Sequence, residues 1–212
     1  WAAKRVDIGS RRELFVDAHL VAELRGARRQ LHHPTPRNLA IAHDAPWEGA
    51  GSGYHSIIQD GDLFRMYYRG SKLGVEKGKL KLGREVYCYA ESHDGITFKK
   101  PRLGLHEYNG SRDNNIIWTG VGTHNLAPFL DTRPGCPPES RFKALGGLAS
   151  QGGLFAFHSA DGIRWSLFSK KPVVTKGAFD SQNLAFWDAK VGVYRAYFRT
   201  FTKGTTTAKV WK

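Results

Sequence analysis

The stretch Phe179-Asp180-Ser181-Gln182-Asn183-Leu184-Ala185-Phe186-Trp187-Asp188 decides how this chain is read. An echo lies upstream, at Thr123-His124-Asn125-Leu126-Ala127-Pro128-Phe129-Leu130-Asp131. Each places polar residues directly before Asn-Leu-Ala, follows them with an apolar, aromatic-bearing run and closes on Asp. Recurrence of such a segment points to a repeat architecture. Polar groups at the head of an otherwise apolar strand are placed to deliver side chains to one shared site.

Working outward, other features recur in the same order. Ser92-His93-Asp94-Gly95-Ile96-Thr97-Phe98 is matched by Ser159-Ala160-Asp161-Gly162-Ile163-Arg164-Trp165. Arg65-Met66-Tyr67-Tyr68-Arg69 is matched by Arg195-Ala196-Tyr197-Phe198-Arg199. A unit of about four short strands repeated in this way reads as a propeller blade. The fold expectation is therefore all-β, a five-bladed β-propeller type present as an incomplete set of about two and a half to three four-stranded blades. Blade one spans about 45–105, blade two about 120–172 and blade three about 178–212, with 1–44 as an N-terminal strand and connector of the same single domain. The third cycle has no second Ser-x-Asp-Gly turn, so the expectation is a piece of a longer protein, with further C-terminal blades as its partners. Thr205–Thr207 is read as that blade's third strand, cut short.

Within the first cycle, strands are predicted at 54–59 and 63–69 around an Asp60-Gly61-Asp62 hairpin turn. A third is predicted at 86–91, and a fourth beginning at Ile96. Residues 70–83 read as a basic, glycine-bearing loop. The second cycle predicts strands at 124–130, 141–145 and 153–158, and the third at 194–199. Near the N-terminus, 13–16 and 27–32 read as strands. Asp17 caps a short helix over 18–25, with Gly26 as its stop.

Composition agrees with an all-β chain. The 212 residues include 24 Gly and 9 Pro, and 41% are hydrophobic, enough for a core. No apolar run reaches the roughly 20 residues of a membrane span. The chain opens at Trp1 without Met, which fits either a removed leader or a trimmed chain; the expectation is a secreted or periplasmic protein with its leader removed. Cys88 and Cys136 are too few for a disulfide framework and lack metal-ligand spacing. Cys88 reads as a small buried apolar residue. The net charge is +13, from 32 basic and 19 acidic residues. Such a field draws anions, but no nucleic-acid-binding signature accompanies it, and no nucleic-acid partner is expected.

The Ser-x-Asp-Gly turns are first of all structural: Asp bonds nearby backbone N–H groups and Gly accepts positive φ. They resemble the Asp-box of sialidases with a spacing one residue shorter. The strand heads carry the chemistry. In a propeller the innermost strand of each blade lines the central channel, so these heads converge. Glycosidic hydrolysis needs two carboxyl groups. Asp180, heading the third cycle, and Glu48, in the loop before the first, are the catalytic candidates; turn cap and solvated loop residue are their alternatives. His55, His124, Asn125, Gln182 and Asn183 are candidates for binding sugar hydroxyls, Trp47 for stacking on a sugar ring. Arg69 and Arg199 end matching strands and serve either an ion pair or an acidic sugar. Asp60, Asp131 and Asp188 each close a first strand and are assigned to the opposite end. No nucleophile elbow, phosphate loop or His-Glu-x-x-His motif is present.

Several runs together carry a resemblance. They are Leu14-Phe15-Val16-Asp17, Asp44-Ala45-Pro46-Trp47-Glu48-Gly49, Phe64 to Gly70, Tyr89-Ala90-Glu91-Ser92, Asn109 to Trp118, Phe142 to Gly147 and Lys176 to Asn183. The chain resembles bacterial glycosidase-like proteins of the five-bladed propeller class, similar to glycoside hydrolase families 43 and 32. The resemblance implies an active site in the central funnel and a carboxylate trio drawn from successive blades. Glu48 and Asp180 match two of the roles, and the second blade offers His124-Asn125 in place of an acid. The expected function is a glycoside hydrolase acting on a poly- or oligosaccharide without a cofactor and with no metal ligands assigned. The alternative is a non-catalytic propeller that binds anionic glycans through its basic surface.

Overall fold

The computed structural model describes residues 6–36, 38–203 and 209–211. The chain divides into two compact units, Trp1–Arg37 and Asn38–Lys212. The first unit is built of turns and extended chain. The helix expected at 18–25 and the strands expected at 13–16 and 27–32 do not form. Asp17 instead closes a local turn, its Oδ1 accepting the His19 N–H at 2.9 Å. The apolar residues that would have marked a buried helix face or strand remain at the surface: Leu14, Val16 and Leu31 are all more than four-fifths exposed. In the expected helix Leu20 and Val21 are only half-buried and Leu24 is 44% exposed, too little burial to hold so short a helix.

The second unit is all-β. Strands β1 (Gly53–Asp60) and β2 (Leu63–Gly70) form a hairpin, and a small ribbon of β3 (Leu73–Glu76) and β4 (Lys79–Leu82) follows. That ribbon occupies the segment expected to be loop. β5 (Val86–Ser92) and β6 (Ile116–Trp118) complete an antiparallel sheet of order β1-β2-β5-β6. The fourth strand lies at Ile116–Trp118, not at Ile96, because residues 94–97 are held in a turn by Asp94. The second sheet is a meander of β7 (Ala127–Leu130), β8 (Phe142–Gly146), β9 (Phe155–Ser159) and β10 (Ser166–Leu167). β11 (Leu184–Asp188) and β12 (Val193–Tyr197) form a third hairpin, and β13 (Phe201–Lys203) pairs with β14 (Lys209–Trp211). Thr205–Thr207 lie outside the described residues. The first strands are neighbours in space: β1 packs beside β7, and β7 beside β11.

Strands β2 and β5 of the first sheet are buried on both faces, which explains their near-continuous apolar sequence, whereas β1 is half-exposed. On one face Tyr67, Tyr87 and Tyr89 join Phe142, Ala144, Phe155 and Phe157 of the second sheet and Trp165 just before β10. On the other, Met66, Tyr68, Val86, Cys88 and Ala90 pack with Phe98 and Ile116. The period of two is visible within β2 and β5: alternate residues serve alternate clusters. A third cluster of Leu145, Leu154 and Phe179 joins the second sheet to the segment leading into β11.

The Asp residues closing the first strands behave alike. Asp60 pairs with Arg65 of β2 and Arg141 of the next sheet. Asp131 pairs with Lys143 of β8 and accepts from Tyr194 of the next hairpin at 2.6 Å. Asp188 pairs with Arg195 of β12. Each ties its own hairpin, and the first two tie it to the following unit as well.

Candidate functional site

The head of β1 departs from regular strand geometry. Register shifts between Gly53 and Ser56, a β-bulge, and within it Tyr54 has φ = 57°. Left-handed backbone at a bulky non-glycine residue is strained and persists only where surroundings enforce it. Tyr54 is held by three neighbours. Its Oη donates to the Asp180 carbonyl at 2.7 Å, the Arg69 guanidinium lies over its ring at 4.8 Å, and the His124 ring meets it edge-on at 5.5 Å.

Arg69, at the end of β2, is fixed by two hydrogen bonds to the Gly51 carbonyl, at 3.1 and 2.9 Å. Its Nη1 sits 3.4 Å from Glu85 Oε1 and 3.2 Å from His124 Nδ1. Glu85 Oε1 is 2.7 Å from His124 Nδ1. The carboxylate therefore claims the Nδ1 proton and sets the tautomer, the usual way a protein orients a histidine. Glu85, Arg69 and His124 come from the approach to β5, the end of β2 and the head of β7, and all three side chains are between 11% and 23% exposed. They are shielded enough for strong electrostatics and open enough to meet a ligand.

Asp180 and Arg199 join this neighbourhood from the third hairpin. The Asp180 carboxylate is 64% exposed and pairs with Arg199 Nη2. Gln182 reaches β1, its Nε2 donating to Ser56 Oγ at 2.9 Å and to the His55 carbonyl at 3.3 Å. Asn125 and Asn183 are fully buried and act on backbone. Asn125 Nδ2 donates to the carbonyls of Gly147, Phe179 and Ser181, and its Oδ1 accepts the Gly147 N–H at 2.9 Å. Asn183 Nδ2 donates to the Phe179 and Ser181 carbonyls. The repeated Asn thus shapes the loop that presents Asp180.

The remaining predicted residues form a separate group. Tyr68 and Arg69 are adjacent on β2, so their side chains leave on opposite faces. Tyr68 faces Glu48, His55 and His43. The Glu48 side chain is fully buried; Oε1 accepts from Tyr68 Oη and Oε2 from Lys100 Nζ, both at 2.5 Å, and Oε2 also takes the Ala45 N–H at 3.1 Å. His55 stacks on Tyr68 at 5.6 Å and shares a 3.0 Å contact with His43. Burial lowers the pKa of both imidazoles, and His43 lowers that of His55 further. Trp47 donates its indole N–H to Asn115 Oδ1 at 3.0 Å and packs edge-on against Tyr108. Glu48 and Trp47 brace the loop before β1. Glu48 and Asp180 are not brought together.

Sequence reasoning found Arg69, His124 and Asp180 but missed Glu85, Tyr54 and Thr123. Glu85 lies at the end of the basic 70–85 stretch, where one carboxylate among lysines and arginines reads as surface. Only Gly51-Ser52-Gly53 hinted that the backbone at Tyr54 is unusual. Among the described residues no group of three His, Cys, Asp or Glu side chains is placed to hold a metal ion. No family model, no curated protein and no solved structure matches this chain, so its function has to be read from the chemistry of the strand heads.

Proposed function

We propose that this chain forms part of a five-bladed β-propeller of the glycosidase-like class and acts on a poly- or oligosaccharide at the strand heads. One observation carries the reading. The first strands β1, β7 and β11 lie side by side, and their heads bring Tyr54, Arg69, Glu85, His124 and Asp180 into one neighbourhood. Strand heads converging from successive sheets are where a propeller presents its funnel. Asp180 and Glu85 are the carboxyl groups accessible there. In this reading Asp180 exchanges protons with the glycosidic oxygen and Glu85 supplies the second carboxylate, directly or through His124. Arg69 and Arg199 hold both in place, and Glu48 supports the fold.

The test is hydrolysis by the whole protein across a polysaccharide panel. Asp180→Asn and Glu85→Gln are each expected to lower the rate by about 10²-fold or more, the usual scale of acid–base catalysis. Wild-type rates in both variants would refute the assignment. A second reading has its own support: Asp180, Glu85 and Glu48 each sit against a cation, and the chain carries a net charge of +13. That arrangement suits a non-catalytic propeller that holds anionic glycans. Binding that weakens with salt, with no hydrolysis of any polymer in the panel, selects it.

A further inference from the structure

Beside His124 a cavity of about 410 Å³ opens between the loop ending in Glu85 and the 120–124 turn. Its lining includes Gly83, Glu85, Gly120, Thr123, His124 and Gln151, with Leu82 as an apolar patch. The volume falls within the roughly 300–1,000 Å³ of small-molecule sites. Three polar side chains in the lining hold unused hydrogen-bonding capacity.

Thr123 is 4% exposed, and its Oγ1 has no hydrogen-bond partner among the described residues. A buried hydroxyl left unpaired is costly, and such exceptions call for an explanation. Gln151 Oε1 accepts the N–H groups of Gly122 at 3.3 Å and Leu148 at 3.1 Å. Those two bonds fix which end of the amide is oxygen and leave Nε2 as a donor. Glu85 Oε1 is engaged by His124 and Arg69, while Oε2 makes no hydrogen bond among the described residues. The cavity therefore offers an amide donor, a hydroxyl that can donate or accept, and a carboxylate oxygen that accepts. The two glycines allow a ligand close to backbone.

We infer that this cavity is a subsite for one unit of a neutral sugar, gripped through its hydroxyls by Thr123, Gln151 and Glu85. Adjacent sugar hydroxyls are both donors and acceptors, which matches the mixed set. An anionic unit matches it poorly: the Glu85 carboxylate lines the cavity, and the Arg69 guanidinium beside it is already committed to Gly51, Glu85 and His124. The inference rests on the carbohydrate reading above and names the sugar class for that site. It also sets the local chemistry against the global +13 charge, which by itself points to anions.

The experiment is calorimetric titration of the whole protein with trisaccharides of glucose, galactose, xylose and arabinose, and with trigalacturonate, for wild type, Thr123→Val and Gln151→Glu. At least one neutral trimer is expected to bind more tightly than trigalacturonate. Thr123→Val is expected to weaken that binding about tenfold, the worth of one good hydrogen bond. Because Thr123 Oγ1 bonds nothing among the described residues, the melting temperature of this variant should stay level or rise, which that of a variant at a structural threonine would not do. Gln151→Glu keeps the Oε1 acceptor and loses the Nε2 donor, and should weaken binding similarly. Binding unaffected by both variants, preference for trigalacturonate, or no neutral trimer bound overturns the inference. Polysaccharide hydrolysis that persists in any of those cases leaves the function reading standing. Neutral-sugar binding with no hydrolysis of any polymer keeps the subsite and removes the hydrolase.

Discussion

The two four-stranded sheets are nearly identical at one end and unlike at the other. After β5, Ser92 Oγ accepts the Asp94 and Gly95 N–H groups, and Asp94 Oδ1 accepts those of Ile96 and Thr97. After β9, Ser159 Oγ accepts the Gly162 N–H, and Asp161 Oδ1 those of Ile163 and Arg164. Gly95 and Gly162 take φ = 69° and 73°. At the strand heads the likeness ends. The first sheet has a bulged, left-handed Tyr54 and the second a histidine oriented by Glu85. Turns that repeat do the same structural work in each unit, whereas heads that differ contribute different groups to one place. Divergence between repeats, more than their shared motif, locates the site.

The comparison can be broken at several points. The largest effect is expected at Asp131, whose side chain is fully buried against Lys143. Asp131→Ala leaves the Lys143 charge with only the Ser140 carbonyl and Cys136 Sγ as partners and removes the bond from Tyr194, at a cost of about 3 kcal/mol in chemical denaturation. Asp60→Ala should cost less, because Arg141 is already 45% exposed and can turn to water, and Arg65 keeps its bonds to Tyr89 Oη and the Asp161 carbonyl. Hydrogen bonds from Lys143 and Tyr194 hold the Asp131 pKa at about 2 against the opposing effect of burial. The unfolded carboxyl titrates near 3.9, so unfolding takes up the proton more readily. This stabilisation is complete above about pH 4 and disappears as pH falls toward 2, a loss that Asp131→Asn should abolish. An unchanged acid limb in that variant would place it elsewhere.

Next in size are the two turn glycines. Both substitutions to alanine carry the roughly 1–2 kcal/mol strain of left-handed backbone. A Cβ on Gly162 would also meet Tyr67 Oη at 2.5 Å and the Phe142 ring, whereas on Gly95 its nearest neighbour is the Phe64 ring at 3.3 Å. Gly162→Ala should therefore lower the melting temperature more than Gly95→Ala. Equal shifts would mean the turns differ less in packing than their contacts imply.

The smallest effect is expected from His43 and His55, which lie on the Glu48 face of the first sheet. Burial lowers both imidazole pKa values. Unfolding then favours protonation, so their contribution is complete above about pH 6.5 and fades as pH falls through the lower folded values. NMR titration should show both imidazoles protonating below the free value, with Tyr68 ring signals shifting in step. Titration at or above the free value would remove this contribution.

Much of the fold was legible because its signals are local. Apolar and aromatic runs at 54–59, 63–69 and 86–91, bounded by Asp-Gly turns, fix strands within a few residues. The helix expected at 18–25 does not form because its short stripe is only partly buried, and the β3–β4 ribbon was not legible because basic, glycine-bearing sequence also suits a loop. The site was legible in part. Arg69, His124 and Asp180 stand at positions the repeat marks out, but Glu85 precedes a strand that carries no such mark. Glu48 looked accessible in a glycine-rich loop, yet Lys100, more than fifty residues later, folds over it.

By itself the sequence determined the all-β class, the hairpins around Asp60-Gly61-Asp62 and into β5, and the recurring Ser-x-Asp-Gly turns. These follow from periods of two and from turn chemistry, which act over a few residues. Only the tertiary structure decided which carboxylate is sealed and which is open. It alone brought Glu85 against His124, forced Tyr54 into left-handed backbone and left Thr123 Oγ1 buried without a partner among the described residues. The physical reason is that burial, ion pairing and strain depend on residues distant in the chain, and no local pattern encodes what will stand opposite a side chain once the sheets have packed.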